Sequence, residues 1–279
     1  MKKEVIVLNC GSSSVKFAII DAETGEAGLT GIAEALGNSD ASLSYKLNGK
    51  KEKQALPEKA GHTEALNAIA EIIASTGVQP IAIGHRVVHG GEKFKGAALV
   101  DDSVLEAIED YASMAPLHNM ANLKGIVTAQ AAYPDLPHVV VFDTSFFQTL
   151  PKKAFIYALP MSLYREHGIR RYGFHGTSHK FILDSMAKIL NKPVSDTSII
   201  SAHLGNGCSV SAIEKGQAVD TSLGFIPLEG LVMGTRCGDI DPSLPGTLQK
   251  KLGKTADEIS DLLNKQSGLL GISELSNDC

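Results

Sequence analysis

The chain has 279 residues and a mass of 29.5 kDa, with 43% hydrophobic and 20% charged residues. A globular chain of this length buries roughly 75% of the surface its unfolded form exposes, which excludes disorder, collagen-like repeats and a small disulfide scaffold. A net charge of −5, from 26 basic and 31 acidic residues, gives no footprint for nucleic acid or a membrane surface, while a local basic pocket for an anionic ligand stays open.

The length exceeds a usual single domain of roughly 100–200 residues, so two domains are expected, 1–150 and 151–279. The N-terminal Met1-Lys2-Lys3 and the apolar run from Val5 to Leu8 superficially resemble a lipoprotein signal. That run is far short of the roughly 7–15 residues a signal needs, and Asn9 stands where a small residue belongs, so it reads as a first strand. No apolar run approaches the ~18 residues of a membrane span. Cys10, Cys208, Cys237 and Cys279 are scattered, without a C-x-x-C pair, and read as free thiols in a reducing cytoplasm.

Residues 4–8 and 15–20 predict two buried strands around a polar loop, followed by a turn at Glu23-Thr24-Gly25-Glu26 and a third strand in a meander. Leu66, Ile69, Ile72 and Ile73 give 62–76 the stripe of a helix. A strand at 80–84, helices near 103–112 and 119–132, and a buried strand at 138–142 complete an α/β domain with a mixed sheet. After Pro151 the pattern restarts. A helix is expected at 177–190 with Ser178 as its cap, and a strand at 198–202. The Gly-rich loop His203-Leu204-Gly205-Asn206-Gly207 follows, then a strand at 209–213 and a turn at 214–217. Helices at 243–252 and 255–264 end the chain, the last opening with a capping box of Thr255 and Glu258.

Both halves contain a strand, a Gly/Ser loop, a strand opening on Ser-Val, and a tight turn, at 5–26 and 199–217, with Ser14 and Ser209 in matching places. Two short apolar strands can coincide by chance; the alternative is a duplicated domain whose loops offer backbone N–H groups and hydroxyls to phosphate oxygens. There is no G-x-x-x-x-G-K-[ST], no third glycine after Gly205-Asn206-Gly207 for a dinucleotide fingerprint, no G-x-S-x-G and no H-E-x-x-H. His85/His89 and His175/His179 have i, i+4 spacing, but the first pair falls in a strand and its exit, which argues against zinc.

Polar clusters then stand out at strand ends. Gly84-His85-Arg86-Val87-Val88-His89-Gly90-Gly91 sets an Arg in a buried strand, where it needs a carboxylate partner or an anionic ligand. Asp143 ends the strand Val140-Val141-Phe142, as a ligand-binding group or a helix cap. Arg171 to His179 and Gly234 to Pro242 are densest, and Arg236 can bring its fork close to an oxyanion. Together these supply anion clamps and a metal-orienting carboxylate without an activated Ser or Cys nucleophile, the ingredients of phosphoryl transfer.

Asn9-Cys10-Gly11-Ser12-Ser13-Ser14-x-Lys16, Gly84 to Gly91, Ala115-Pro116-Leu117-His118-Asn119, Phe142-Asp143-Thr144, Tyr172 to His179, His203 to Gly207 and Met233-Gly234-Thr235-Arg236 resemble the acetate kinase (acetokinase) family, in order along the whole chain. The resemblance implies the acetate and sugar kinase/Hsp70/actin superfamily: an α/β fold of two duplicated ribonuclease-H-like domains with mixed sheets and nucleotide in the cleft between them. It implies ATP and acetate, or ADP and acetyl phosphate, as substrates, Mg²⁺ (or Mn²⁺) as cofactor, and a homodimer at full length. By position, Asn9 would help hold the metal, Ser12, Ser14 and Lys16 would line the phosphate side, and Arg86 would bind the acetate end with His118 near it. Asp143, His175 and Arg236 would be catalytic. His203, Leu204, Gly205, Asn206 and Gly207 would contact ATP phosphates, and Asp278 falls in a further ATP-contact motif. Propionate or butyrate kinase, and a non-catalytic acyl-phosphate-binding homologue, are the alternatives.

Four departures from the family pattern are Met120 in place of Pro, Phe147 in place of His, and Cys208 and Cys237 in place of Gly or Ser. Cys237 beside Arg236 is expected either to alter the rate or to confer oxidation sensitivity. The second repeat, counted from Ser198, leaves only 82 residues against roughly 150 in the first. The resemblance implies a family chain that continues past Cys279 into a Gly-rich adenosine loop, a Mg²⁺-binding Glu and a final helix. The expectation is a C-terminally truncated second domain and little turnover by the 279-residue chain alone.

Overall fold

The computed structural model describes residues 3–47, 49–114 and 116–278; the sequence readings that involve Met1, Lys2, Ala115 and Cys279 lie outside the described residues. The chain divides into two compact units, Met1–Ser145 and Phe146–Cys279.

The first unit opens as an antiparallel meander of β1 (Glu4–Cys10), β2 (Val15–Asp21), β3 (Ala27–Glu34), β4 (Ser42–Leu47) and β5 (Lys50–Ala55). Alternation sets the faces: Ile6, Leu8 and Cys10 lie opposite Ile19, Phe17 and Val15, and all six are buried. Asp21 makes the turn into β3, its Oδ1 accepting the N–H groups of Glu23 (2.8 Å) and Thr24 (3.0 Å). Helix α1 (His62–Ser75) follows, with Glu64 Oε2 accepting the Gly61 N–H at 2.7 Å across its first turn. Then come β6 (Ala82–Val87), β7 (Ala98–Leu99), α2 (Asp102–Asp110), α3 (Pro116–Ala132) and β8 (His138–Phe142). Among the described residues these strands form one mixed eight-stranded sheet in the order β5-β4-β3-β2-β1-β6-β8-β7, with β6 parallel to both β1 and β8. Ile6, Phe17, Leu43, Ile69 and Ile83 form one core, and Val87, Ile108, Ile126, Val140 and Phe142 another. Each such side chain contributes about 1.5–3 kcal/mol on burial, so these cores outweigh the polar contacts at the strand ends.

Three expectations for this unit shift. Strands β4 and β5 were not foreseen: Leu43, Tyr45 and Leu47 alternate in β4 and were a readable signal, whereas Lys50–Ala55 is exposed at every position and carries no apolar alternation; a charged edge strand of this kind discourages pairing with another chain. The strand expected at 80–84 begins two residues later, since Pro80 has no N–H to donate, and runs to Val87, so His85 and Arg86 lie within it. Asn9 and Cys10 belong to β1 rather than to the loop, paired with Lys16 and Val15.

The second unit starts with α4 (Lys152–Phe155) and α5 (Met161–His167) and continues through α6 (Gly176–Ile189). An antiparallel sheet of β9 (Ile199–Leu204), β10 (Cys208–Glu214) and β11 (Gln217–Thr221) follows, then α7 (Leu244–Leu252), α8 (Ala256–Lys265) and α9 (Gly268–Ser273). The β10–β11 hairpin turns on Lys215 and Gly216, both at positive φ (48° and 78°), as a two-residue turn of the right twist requires. Thr255 and Glu258 form the expected capping box at α8. Ser178 is not the cap of α6: it sits inside the helix with its Oγ 2.9 Å from His203 Nδ1, and His175 occupies the cap position. His203 and Leu204 are the last residues of β9, so the expected loop shortens to Gly205, Asn206 and Gly207.

The two repeat segments are both antiparallel hairpins. The Cys10–Val15 pair closes a four-residue loop and the Leu204–Cys208 pair a three-residue loop, which leaves Ser14 in its loop while Ser209 lies within β10.

Candidate functional site

In the first unit, the parallel strands β1, β6 and β8 bring three predicted residues to their C-terminal ends, where open α/β sheets bind ligands. Leu8 pairs with His85 and Val87 with Phe142, and the Asp143 N–H continues the ladder to Val87 O at 2.9 Å. Arg86 donates from Nε to Asp143 Oδ1 (2.9 Å), from Nη2 to Oδ2 (2.5 Å), and from Nη1 to Asn9 Oδ1 (3.1 Å). The Asp143 side chain is 2% exposed and that of Arg86 36%. Burial works against the guanidinium charge, but the charge and hydrogen bonds of Asp143 prevail and raise the Arg86 pKa above its ordinary value. Of the two readings weighed for Arg86, the structural ion pair is present. A guanidinium has five N–H donors, and three are engaged within this trio.

The backbone under this trio is clamped from α3. Asn122 accepts from Val88 N (3.1 Å) and donates to Cys10 O (2.6 Å); Asn119 accepts from His89 N and donates to His89 O, both at 3.0 Å. Both amides are buried. Of these only Asn119 lay in a motif, but two Asn residues three apart within one helix were a readable signal, because Asn is a weak helix former that satisfies backbone groups elsewhere. His118 is half-buried in the first turn of α3. Ser12 and Lys16 are exposed and Ser14 half-buried, around a loop fastened by Gly11 N–H to Ser14 O (2.8 Å) and His62 Nε2 to Gly11 O (2.6 Å); none of the three serves the Arg86 network among the described residues.

His85 does not converge with His89. Its Nε2 lies 2.9 Å from His138 Nδ1 in a stacked pair, and burial, then the neighbouring His138, pushes its pKa down to about 3. No group of three or more His, Cys, Asp or Glu residues suited to a metal is found among the described residues. Asn9 and Asp143 offer hard oxygens already accepting from Arg86. That donor set suits a Mg²⁺-like ion that carries most of its ligands as phosphate oxygens and waters, and does not suit a caged zinc or calcium.

In the second unit, His175 caps α6 at φ 60° and ψ 23°, a left-handed conformation uncommon for a residue with a Cβ and often retained where a side chain must be aimed. Its Nδ1 lies 3.0 Å from Ser209 Oγ, and its ring packs on His203 with centroids 4.2 Å apart. A Cβ placed on Gly207 would lie 3.3 Å from Arg236 Nη1 and 3.5 Å from His175 Nε2, so Gly207 leaves open a small space on which both groups border. Arg236 donates to Pro227 O (2.9 Å) and approaches Met233 Sδ (4.0 Å). No carboxylate among the described residues is within ion-pair distance of it, and burial pulls its pKa down. Asn206 holds the same loop, its carbonyl accepting from Gly234 N (2.9 Å) and its Oδ1 from Asn277 Nδ2 (3.0 Å). A side chain on Gly234 would collide with that amide. Leu204 and Asp278 are exposed, Asp278 one residue beyond Asn277.

His175, Arg236 and Gly207 therefore come together, with His203 and Asn206 beside them. The sequence reading gave Ser209, buried in β10, only a place in the internal repeat and gave no role to His179, which lies one turn beyond His175. Arg171 belongs to a different network, pairing with Glu229 at 2.5 Å, and Glu229 also accepts from Tyr157. Of the departures, Phe147 is fully buried against His179, and Met120 is 47% exposed. Cys237 is half-buried and burial pushes its thiol up, away from a reactive thiolate, against the expected oxidation sensitivity.

The sequence model of the Acetokinase family matches residues 4–279. Acetate kinases of Shewanella putrefaciens and Shewanella loihica are 57% and 58% identical over 281 aligned positions, covering 99% of this chain and 70% and 71% of theirs. Among solved structures, a propionate kinase from Francisella tularensis superposes with a TM-score of 0.95 at 44% identity, and Porphyromonas gingivalis acetate kinase with 0.91 at 43%; each comparison covers 99% of this chain and 71% of the other. The chain belongs to the acetokinase family.

Proposed function

We propose that the chain carries the chemistry of acetate kinase: reversible phosphoryl transfer between ATP and acetate, giving acetyl phosphate and ADP by direct in-line displacement. The observation that supports this best is Arg236, a partly buried cation with no carboxylate in ion-pair distance among the described residues, bordering the open space at Gly207 together with His175. Burying a charge without a partner is costly, so the anion that completes it is taken to be the transferring phosphoryl group.

Acetate, with a pKa near the ~4.3 of a Glu side chain, is ionised at neutral pH and needs no general base. Its oxygen forms the new bond to phosphorus as the bond to the ADP oxygen breaks. The two remaining donors of Arg86 bind the carboxylate end, with His118 nearby. Asp143, committed to Arg86 through both oxygens, orients rather than shuttles a proton. His175 and Arg236 donate to the phosphoryl oxygens, and Ser12, Ser14, Lys16, the 203–207 segment and Asp278 serve the nucleotide phosphates. Mg²⁺ (or Mn²⁺), when bound, would neutralise developing phosphate charge, with Asn9 as its protein oxygen. A homodimer and a cytoplasmic location belong to the same proposal. No helix among the described residues is long and apolar enough to cross a membrane.

The test is thermal stabilisation by acetyl phosphate and by ATP–Mg²⁺, followed by acetate-dependent ADP formation. Stabilisation by neither overturns the reading, and stabilisation by acetyl phosphate but not by ATP–Mg²⁺ favours a non-catalytic acyl-phosphate-binding protein. The similarity to a propionate kinase makes propionate the second acceptor to measure, and a higher kcat/KM with propionate than acetate moves the assignment there.

A further inference from the structure

Ser209 is the junction of a hydrogen-bonded chain that the family motifs do not explain. Its Oγ is 3.0 Å from His175 Nδ1 and 2.8 Å from His179 Nε2, and the other nitrogen of His179, Nδ1, is 2.9 Å from Ser201 Oγ. Ser201, Ser209 and His179 are all buried, His179 and Ser209 completely. A hydroxyl has one proton to give, so the direction of donation along this chain fixes which nitrogen of each neutral ring carries hydrogen.

Run one way, Ser201 donates to His179 Nδ1, His179 Nε2–H donates to Ser209, and Ser209 donates to His175 Nδ1. His175 then carries its proton on Nε2, the atom that borders the space at Gly207 beside Arg236 Nη1. Run the other way, His175 Nδ1–H donates to Ser209 and Nε2 presents a lone pair to that space. An anion held by Arg236 would meet a donor in the first case and a repelling lone pair in the second. We infer that Ser209, wired through His179 to Ser201, is a positioning residue that holds His175 in its Nε2–H tautomer, so that His175 and Arg236 present donors to the same anion. The ring of His203, packed on His175, limits rotation of the imidazole that would break this alignment.

The experiment is a long-range ¹H–¹⁵N spectrum of the histidine-labelled chain at pH 8, above the ordinary imidazole range of ~6.5, with His175→Gln supplying the assignment. Expected are hydrogen-bearing Nε2 on both His175 and His179, retention of that pattern in Ser209→Thr, and a mixed or Nδ1–H tautomer of His175 in Ser209→Ala. A parent spectrum with Nδ1–H on His175, or an unchanged tautomer in folded Ser209→Ala, overturns the proposal. The parent spectrum decides the direction by itself if Ser209→Ala does not fold. A kinetic arm rests on the acyl-phosphate reading above: Ser209→Ala should lower kcat by about 10- to 100-fold, as loss of an orienting partner does, while the acetate KM stays within about 3-fold. A chain with the expected tautomers that neither acetyl phosphate nor ATP–Mg²⁺ stabilises would sink the kinase reading and leave the relay standing; an unchanged kcat in an active chain would remove the catalytic role of Ser209.

Discussion

Arg86 in the first unit gives three donors to Asp143 and Asn9, and its pKa is raised; Arg236 in the second meets a carbonyl and a thioether, and its pKa is lowered. One cation is assembled into the fold as half of an ion pair, while the other meets no carboxylate among the described residues. The same residue type therefore has opposite consequences on removal. The largest expected effect is functional: Arg236→Ala should reduce acetate-dependent ADP formation by about 10²–10³-fold, the range seen when an oxyanion donor is deleted. Thermal stability of the ligand-free variant should stay level or rise, because an uncompensated charge has been removed. A clear fall in melting temperature with turnover intact would break the contrast.

Arg86→Ala should behave the other way. It strands a carboxylate that is 2% exposed, at about 1–3 kcal/mol of folding free energy, with the lower end favoured because Arg86 itself keeps a third of its surface in water. Adding Asp143→Asn should recover part of that loss. In urea titrations a double-mutant cycle with a coupling near zero would mean that the pair is geometrically present but energetically idle.

These contrasts also mark how far the sequence was legible. The core strands and α1 were readable because Ile6, Leu8, Phe17 and Ile69 repeat at strand and helix periods. Arg86, Asp143, His175 and Arg236 announced themselves as costly charges or clustered polar groups at strand ends and among glycines. What the sequence hid was pairing. Nothing local says that Asp143 answers Arg86, since they are 57 positions apart, or that Ser209 sits between two histidines. Ser178 looked like a cap because hydroxyls usually cap helices, yet here His203 takes its Oγ. The exposed strand β5 carried no hydrophobic pattern to detect.

The clamp below Arg86 sharpens the comparison at a smaller scale. Asn122→Ala leaves the Val88 N–H and the Cys10 carbonyl without their partner inside the protein, and should cost about 1–3 kcal/mol. It should also weaken acetate binding, because the ends of β1 and β6 set the position of Asn9 and Arg86. Loss of stability with acetate affinity unchanged would reduce α3 to a packing role.

The His85–His138 pair gives the first unit a pH dependence that the second does not share by this route. Burial holds His85 neutral down to about 3, against 6.5 for an ordinary imidazole. Between those values the unfolded chain binds a proton that the folded chain refuses, so stability rises with pH and is lost on acidification. The slope is at most about 1.4 kcal/mol per pH unit for one such group. His138 Nε2 lies 3.2 Å from the Tyr133 carbonyl, an acceptor it can serve only as a donor, so its Nδ1 is left to accept the Nε2–H of His85. That bond is made between neutral rings: a proton on His138 Nδ1 removes its acceptor, and a proton on His85 leaves the bond but places a charge in a buried ring. Urea midpoints at pH 7.5 and 5.5 should show the fall, and His85→Gln, which has no proton to gain, should flatten it. An equally steep slope in that variant would transfer the effect to other groups.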